Sequence, residues 1–181
     1  QKAELFPSEA AQSRPLKMVL LKHRLGHRLY AHCVGTSNKP RLTVTTHDMK
    51  DGSLVWYLGG DLAEKGVERS DAQQLDAARR ELDELFPWLD FADAELALMD
   101  VARAEPRQQG LADNAYARRD RDLIITWPTK LTLAPDLGDR VEALIQERGL
   151  ETGAPLPPIP GELRRADIGR PQWHRLFGEQ G

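Results

Sequence analysis

His23 and His27 stand four residues apart, the interval at which a helix would turn two imidazoles onto one face to grip zinc. Gly26 lies between them and strand-like apolar runs flank them, so the two rings are expected around a turn. No Glu or Cys stands near enough to complete a ligand set, and no metal site is expected. His32 beside Cys33 pairs a base with a thiol, but neighbours in a strand point to opposite faces, which leaves Cys33 as a small core residue. Gly59 and Gly60 before Asp61 look like a phosphate loop only superficially. Neither Gly-x-Gly-x-x-Gly nor Gly-x-x-x-x-Gly-Lys-Ser/Thr accompanies them, and a strand-terminating turn is expected. A hydrolase built on His47 and a nearby carboxylate is disfavoured by the lack of a Gly-x-Ser-x-Gly motif.

The block from Asp122 to Pro135 says more. It reads as a buried strand, Leu123 to Trp127, followed by a loop and then a helix from about Asp136 to Arg148, closed by Gly149. Strand-loop-helix units are places where α/β proteins bind ligands, because free amides at the helix start face incoming negative charge. Lys130 in that loop reads equally as a group that stabilises an anionic atom or as a solvated surface lysine. Arg103, at the end of a strand expected over Glu95 to Arg103, carries the planar fork that suits a carboxylate, although an isolated arginine is more often a surface or salt-bridge residue.

Positioning these groups falls to elements with two periods. Lys17 to Lys22 reads as a strand, joined through Gly26 to a second apolar run, Arg28 to Val34, as a hairpin. Leu42 and Val44 alternate with Thr43 and Thr45, and the Asp51-Gly52 turn leads to Leu54 to Leu58, a second hairpin. Between Ser70 and Phe86 the apolar residues recur at three- and four-residue spacing, an amphipathic helix with Ser70 as N-cap and Pro87 as stop. A short strand is expected near Asn114 to Arg118. The tail holds Pro155, Pro157, Pro158 and Pro160, reads as an extended tether, and ends in a strap that docks Trp173, Leu176 and Phe177 on the core.

At 181 residues the chain is one ordinary domain in size, with 40% hydrophobic and 29% charged residues. A net charge of -3 gives no long-range pull on polyanions, so nucleic acid is not an expected partner. No apolar run is long enough to span a bilayer, the first residues lack the apolar core of a signal peptide, and Cys33 is the single cysteine. A cytoplasmic location is expected. The chain opens on Gln1 instead of methionine, which points to a longer parent product.

The order of the segments RPLKMVLLKH, LYAHCVG, KPRLTVTTH, VWYLGGDLAEKGVERS, ELFPWLD, VARAEP and DLIITWPTKLTLAPDLGDRVEALI resembles the middle and C-terminal portion of bacterial FAD-dependent oxidoreductases. These belong to the superfamily of D-amino-acid, glycine and sarcosine oxidases and flavin-linked glycerol-3-phosphate dehydrogenases. The likeness runs from about Pro15 to Ile145. It implies an α+β fold, a mainly antiparallel β-sheet with two main amphipathic helices, forming the substrate (cap) domain of a two-domain flavoenzyme. Residues 1–120 would be the substrate-binding sheet domain, 121–150 the edge of the flavin-binding domain, and 151–181 a Pro-rich tail.

By the same resemblance the intact enzyme removes a hydride from a carbon bearing an amine or hydroxyl, with FAD as acceptor. The cofactor's pyrophosphate motif is absent from the sequence, so the chain alone is expected to be inactive and not to retain FAD. Thr129, Lys130, Leu131 and Thr132 are the implied cofactor contacts, in a loop that is glycine-rich in relatives. Arg103 is the implied substrate-binding residue, and no catalytic residue is singled out. The partners would be a small amine or hydroxyl substrate and the missing flavin-binding segment, and a homo-oligomer is compatible with the sequence. The competing expectation is a stand-alone α+β binding module whose sheet face receives a protein partner.

Overall fold

The computed structural model describes residues 11–37, 39–106, 114–127, 131–149 and 166–178. The chain divides into two compact units, Arg14–Arg103 with Asp167–Gly181, and Gln1–Ser13 with Ala104–Ala166. Its fold is α+β and mainly antiparallel.

The first unit is built on a five-stranded sheet, β1 (Ala11–His23), β2 (Ala31–Val34), β3 (Pro40–Asp48), β4 (Leu54–Gly59) and β5 (Glu95–Pro106), in the spatial order β2-β3-β4-β1-β5. The β3–β4 hairpin forms as expected. Gly52 takes a positive φ of 77° in its turn, and Asp51 accepts the Ser53 amide at 2.9 Å and the Ser53 hydroxyl as well. Those two bonds, with Lys22 nearby, hold the Asp51 carboxyl down to about 2. The expected hairpin between the first two runs does not form. β1 pairs with β4 (Leu20 opposite Tyr57) while β2 pairs with β3 (His32 opposite Thr43), so Gly26, with φ 72°, turns the chain between strands that never meet.

Strand alternation sorts the sheet into two faces. Val19, Leu21, Leu42, Val44, Trp56 and Leu58 point to one side and form the main core with Leu62, Ala77, Ala78, Leu82 and Phe86. The last five come from the short helix α1 (Asp61–Gly66) and from α2 (Asp71–Leu85) and its end, which together cover that side. In α2, Ser70 accepts from the Gln73 amide at 3.3 Å while the Gln73 side chain accepts from the Ser70 amide at 2.9 Å, a capping box. A capping residue of this kind contributes about 1 kcal/mol. Gln74 is fully buried, yet its amide is satisfied, donating to Lys17 O at 2.9 Å and Leu62 O at 3.0 Å and accepting from Arg69.

Helix α1 was not expected. Gly60 ends the strand as foreseen, but it does so as the residue before a helix, with φ 75° and ψ -150°. A Cβ there would lie 2.7 Å from the Pro40 carbonyl oxygen, so only glycine fits. Trp173 and Phe177 dock as foreseen, though from a short helix, α4 (Gln172–Leu176), in place of an irregular strap, while Leu176 is exposed. Trp173 and Phe177 pack on Leu20, Met49 and Val55 at one end of the second face.

The other unit holds the β6 (Tyr116–Asp120) and β7 (Leu123–Trp127) hairpin and the helix α3 (Ala134–Gln146). Leu133, Leu137, Val141 and Leu144 recur on one stripe of the helix and are half-buried. Ala115 donates its amide to Asp136 at 2.7 Å, and Arg140 reaches the same carboxylate at 3.0 Å. β7 was expected to be a buried strand, but only Ile125 is buried along it, because it pairs with β6 alone in a two-stranded ribbon. The proline-rich tether from Gly153 to Gly161 lies outside the described residues.

Candidate functional site

The face of the five-stranded sheet turned away from α2 carries the groups best suited to meeting a ligand. Register places Thr43 opposite Gly59 and opposite His32, and Thr45 opposite Tyr57, which is itself opposite Leu20. All these side chains share one face by alternation. Cys33, one step from His32, turns to the other side and packs against the main core, so thiol and imidazole are separated by the sheet as expected.

Beneath the polar groups lies an apolar floor. Leu16, Met18 and Ala63 are buried there, with Tyr57, Met99 and Val101 packed on them. The approach is close at Gly59, where a Cβ would stand 2.6 Å from the Thr43 hydroxyl and 2.9 Å from the Met18 methyl. Thr43 and Tyr57 are half-buried, His32 is exposed, and none of the three side chains engages a hydrogen bond among the described residues. Burial pushes the Tyr57 phenol above its ordinary value, so at neutral pH it stays protonated and able to donate.

Arg103 extends this surface. Glu95 at the start of β5 reaches Lys22 at 3.7 Å, near the end covered by Trp173, whereas Val101 packs with Leu16 and Met18. β5 therefore runs away from α4, and Arg103, exposed two residues beyond Val101, stands at the opposite end on the face of Met99 and Val101. Leu131 and Thr132 are exposed, Leu131 at 90%, in a short 3-10 turn, Leu131–Leu133, that leads into α3. Thr129 and Lys130 lie outside the described residues. Thr43 and Tyr57 were not singled out from the sequence and His32 was weighed only as a base for Cys33, since only the pairing register reveals that the three share a face.

At the covered end, His47 stacks on Trp173 with ring centroids 4.0 Å apart and sits 3.3 Å from the Thr45 hydroxyl. Burial lowers its pKa, partly offset by Asp48, which is itself paired with Arg28. This ring is part of the packing that holds α4 in place. His23 and His27 do lie around a turn, and among the described residues no group of three or more His, Cys, Asp or Glu could hold a metal ion.

His23 is 4% exposed, edge-on to Trp56 at 4.8 Å, and burial, with His27 nearby, lowers its pKa. Because the folded-state value lies below the unfolded one, the unfolded chain binds the extra proton first. The stability this represents is fully present above about pH 6.5 and is lost as pH falls toward the folded pKa, at no more than about 1.4 kcal/mol per pH unit. Urea midpoints measured between pH 7.5 and pH 5 are expected to fall more steeply for the unmodified chain than for His23→Gln. Parallel curves would contradict the assignment.

No family model matches the chain. It is 48% identical over 173 residues, 93% of its length, to a probable FAD-dependent oxidoreductase of Pseudomonas aeruginosa, and covers 43% of that protein. It is also similar to the crystal structure of an FAD-dependent oxidoreductase from Pseudomonas aeruginosa, with a TM-score of 0.81 and 47% identity over 94% of this chain and 47% of that one. The chain thus spans less than half the length of the relative it matches. In sequence and in fold it is similar to a part of an FAD-dependent oxidoreductase. No helix among the described residues is long and apolar enough to cross a membrane.

Proposed function

We propose that a chain so similar to part of an FAD-dependent oxidoreductase supplies the substrate-facing sheet of such an enzyme, and that the face bearing His32, Thr43, Tyr57 and Arg103 lies over the flavin ring. The observation that carries this reading is the likeness over 94% of the chain at 47% identity, together with an apolar floor rimmed by the Thr43 and Tyr57 hydroxyls. The reaction is hydride removal from a carbon bearing an amine or hydroxyl, as in the D-amino-acid oxidase superfamily, in a cytoplasmic enzyme. Residues 1–120 belong to the substrate side, and 121–150 to the edge of the flavin-binding domain. Thr129, Lys130, Leu131 and Thr132 approach the cofactor there.

The residues of the open face fit a flat, largely apolar ring with a polar substrate beside it. Leu16, Met18, Met99 and Val101 form a dry floor, and Thr43 and Tyr57 present hydroxyls at its rim. FAD, when bound, supplies the hydride acceptor. The chain's own part is positioning. Arg103 grips a substrate carboxylate through its fork, the protonated Tyr57 hydroxyl donates to a substrate oxygen or nitrogen lone pair, and the apolar floor keeps water from the reacting carbon.

The sequence has no Gly-x-Gly-x-x-Gly motif, and the chain by itself does not retain FAD in this reading. Thiol labelling tests the placement. In the chain joined to a pyrophosphate-binding segment, with Cys33→Ser as background, a cysteine introduced by Thr43→Cys is expected to be alkylated several-fold more slowly once FAD is bound. A control at exposed Trp88 (Trp88→Cys) should keep its rate. FAD that leaves the Thr43→Cys rate unchanged would refute the assignment of this face.

A further inference from the structure

Helix α4 borders the open sheet face, and its contacts lead from there to the Tyr57 ring. Trp173 lies on Leu20, Met49 and Val55 and stacks on His47, with centroids 4.0 Å apart and planes 21° from parallel. His47 in turn meets Tyr57 edge-on, at 6.1 Å and 86°. Three rings thus run in sequence from the C-terminal helix to β4, the middle strand of the sheet.

The register explains why Tyr57 leans on this contact. Its neighbour on β1 is Leu20 and its neighbour on β3 is Thr45, a short, exposed side chain that offers a ring little to rest against. The diagonal neighbour on β3 is His47, which faces Val55, and diagonal pairs are within reach of aromatic side chains. The Tyr57 hydroxyl engages no hydrogen bond among the described residues, so packing is what aims it.

His47 is itself fixed by two contacts, the Trp173 face and the Thr45 hydroxyl 3.3 Å from its Nε2. Take away the indole and the imidazole loses its stacked face, and Tyr57 loses a fixed edge.

We propose that Trp173 and His47 are positioning residues for the open face: docked α4 holds the imidazole, and the imidazole sets the direction in which Tyr57 presents its hydroxyl to a substrate. This role rests on the reading of the face as the substrate side of a flavin site, of which α4 then becomes a part. Docking of α4 and alignment of Tyr57 are one event.

The test has two arms, and the first needs no flavin. In the full chain carrying isotope-labelled tyrosine, the ring signals of Tyr57, recognised by their loss in Tyr57→Phe, are followed by NMR. Trp173→Leu keeps apolar bulk for docking but has no face to stack, and should shift these signals and speed the flipping of the ring. Trp173→Phe can still stack, and should leave them near their original positions.

The second arm is a double-mutant cycle in the flavin-containing protein, reading kcat/KM for an amine substrate. Tyr57→Phe is expected to lower it about tenfold and Trp173→Leu about fivefold, yet the two together by no more than Tyr57→Phe alone, because the group to be aimed is already gone. Tyr57 signals that respond alike to leucine and phenylalanine, or losses that multiply in the double variant, would each overturn the proposal. A colourless unmodified protein would instead sink the flavin reading, and this role with it.

Discussion

Replacing Arg103 by alanine in the flavin-containing protein is expected to lower kcat/KM for a carboxylate-bearing amine by about 100-fold, a loss of about 2.7 kcal/mol in transition-state binding. The reason lies in the sheet. Arg103 stands beyond Met99 and Val101 on the face with the unengaged hydroxyls, at the end that α4 leaves uncovered. A carboxylate held there by two parallel N–H bonds would hold the substrate's reacting carbon above the apolar floor. Most of the effect should appear in KM, and Arg103→Lys should recover only part of it, because an ammonium is a point charge without the fork. An amine substrate without a carboxylate should be almost indifferent to the change. If both substrates respond alike, or neither does, Arg103 is not the carboxylate partner.

The largest effect on stability is expected at Trp56. It is 1% exposed, meets Phe86 and Phe91 edge-on at 5.5 and 5.8 Å, and donates its indole N–H to His27 O at 3.0 Å. Trp56→Ala removes the largest side chain of the core and leaves that carbonyl without its donor, at a cost of about 3–5 kcal/mol. Since domains of this size are stable by only about 5–15 kcal/mol, the urea midpoint should fall by roughly a fifth or more of its value. Trp56→Phe should cost clearly less. A loss below about 1 kcal/mol for the alanine variant would mean that the sheet and α2 are held together elsewhere.

What the sequence disclosed was local. The β3–β4 hairpin was readable because Asp51-Gly52 makes its own turn and Thr43 and Thr45 alternate with Leu42 and Val44. Helix α2 was readable because its apolar spacing, Ser70 cap and Gln73 partner all lie within a few turns. Non-local pairing was hidden. Nothing near Gly26 announces that β1 will seek β4, more than 30 residues on, in preference to the run that follows it.

The site followed the same divide. Arg103 and the strand-loop-helix block were visible as residue chemistry, but their implied roles came from a family likeness carried by segment order, not by any single motif. Thr43, Tyr57 and His32 needed the register, since a shift of one residue would send each to the other face. Helix α1 escaped because its six residues are too few to show a period.

The central claim is that this chain is one side of a flavin site, and a visible absorption spectrum addresses it most directly. The chain is co-expressed with the part of the Pseudomonas aeruginosa relative that it does not cover, and the complex is purified through a tag on this chain alone. The account predicts a yellow complex carrying about one flavin per chain, against a colourless product when the chain is expressed by itself. A folded, co-purifying complex without flavin absorption would contradict it.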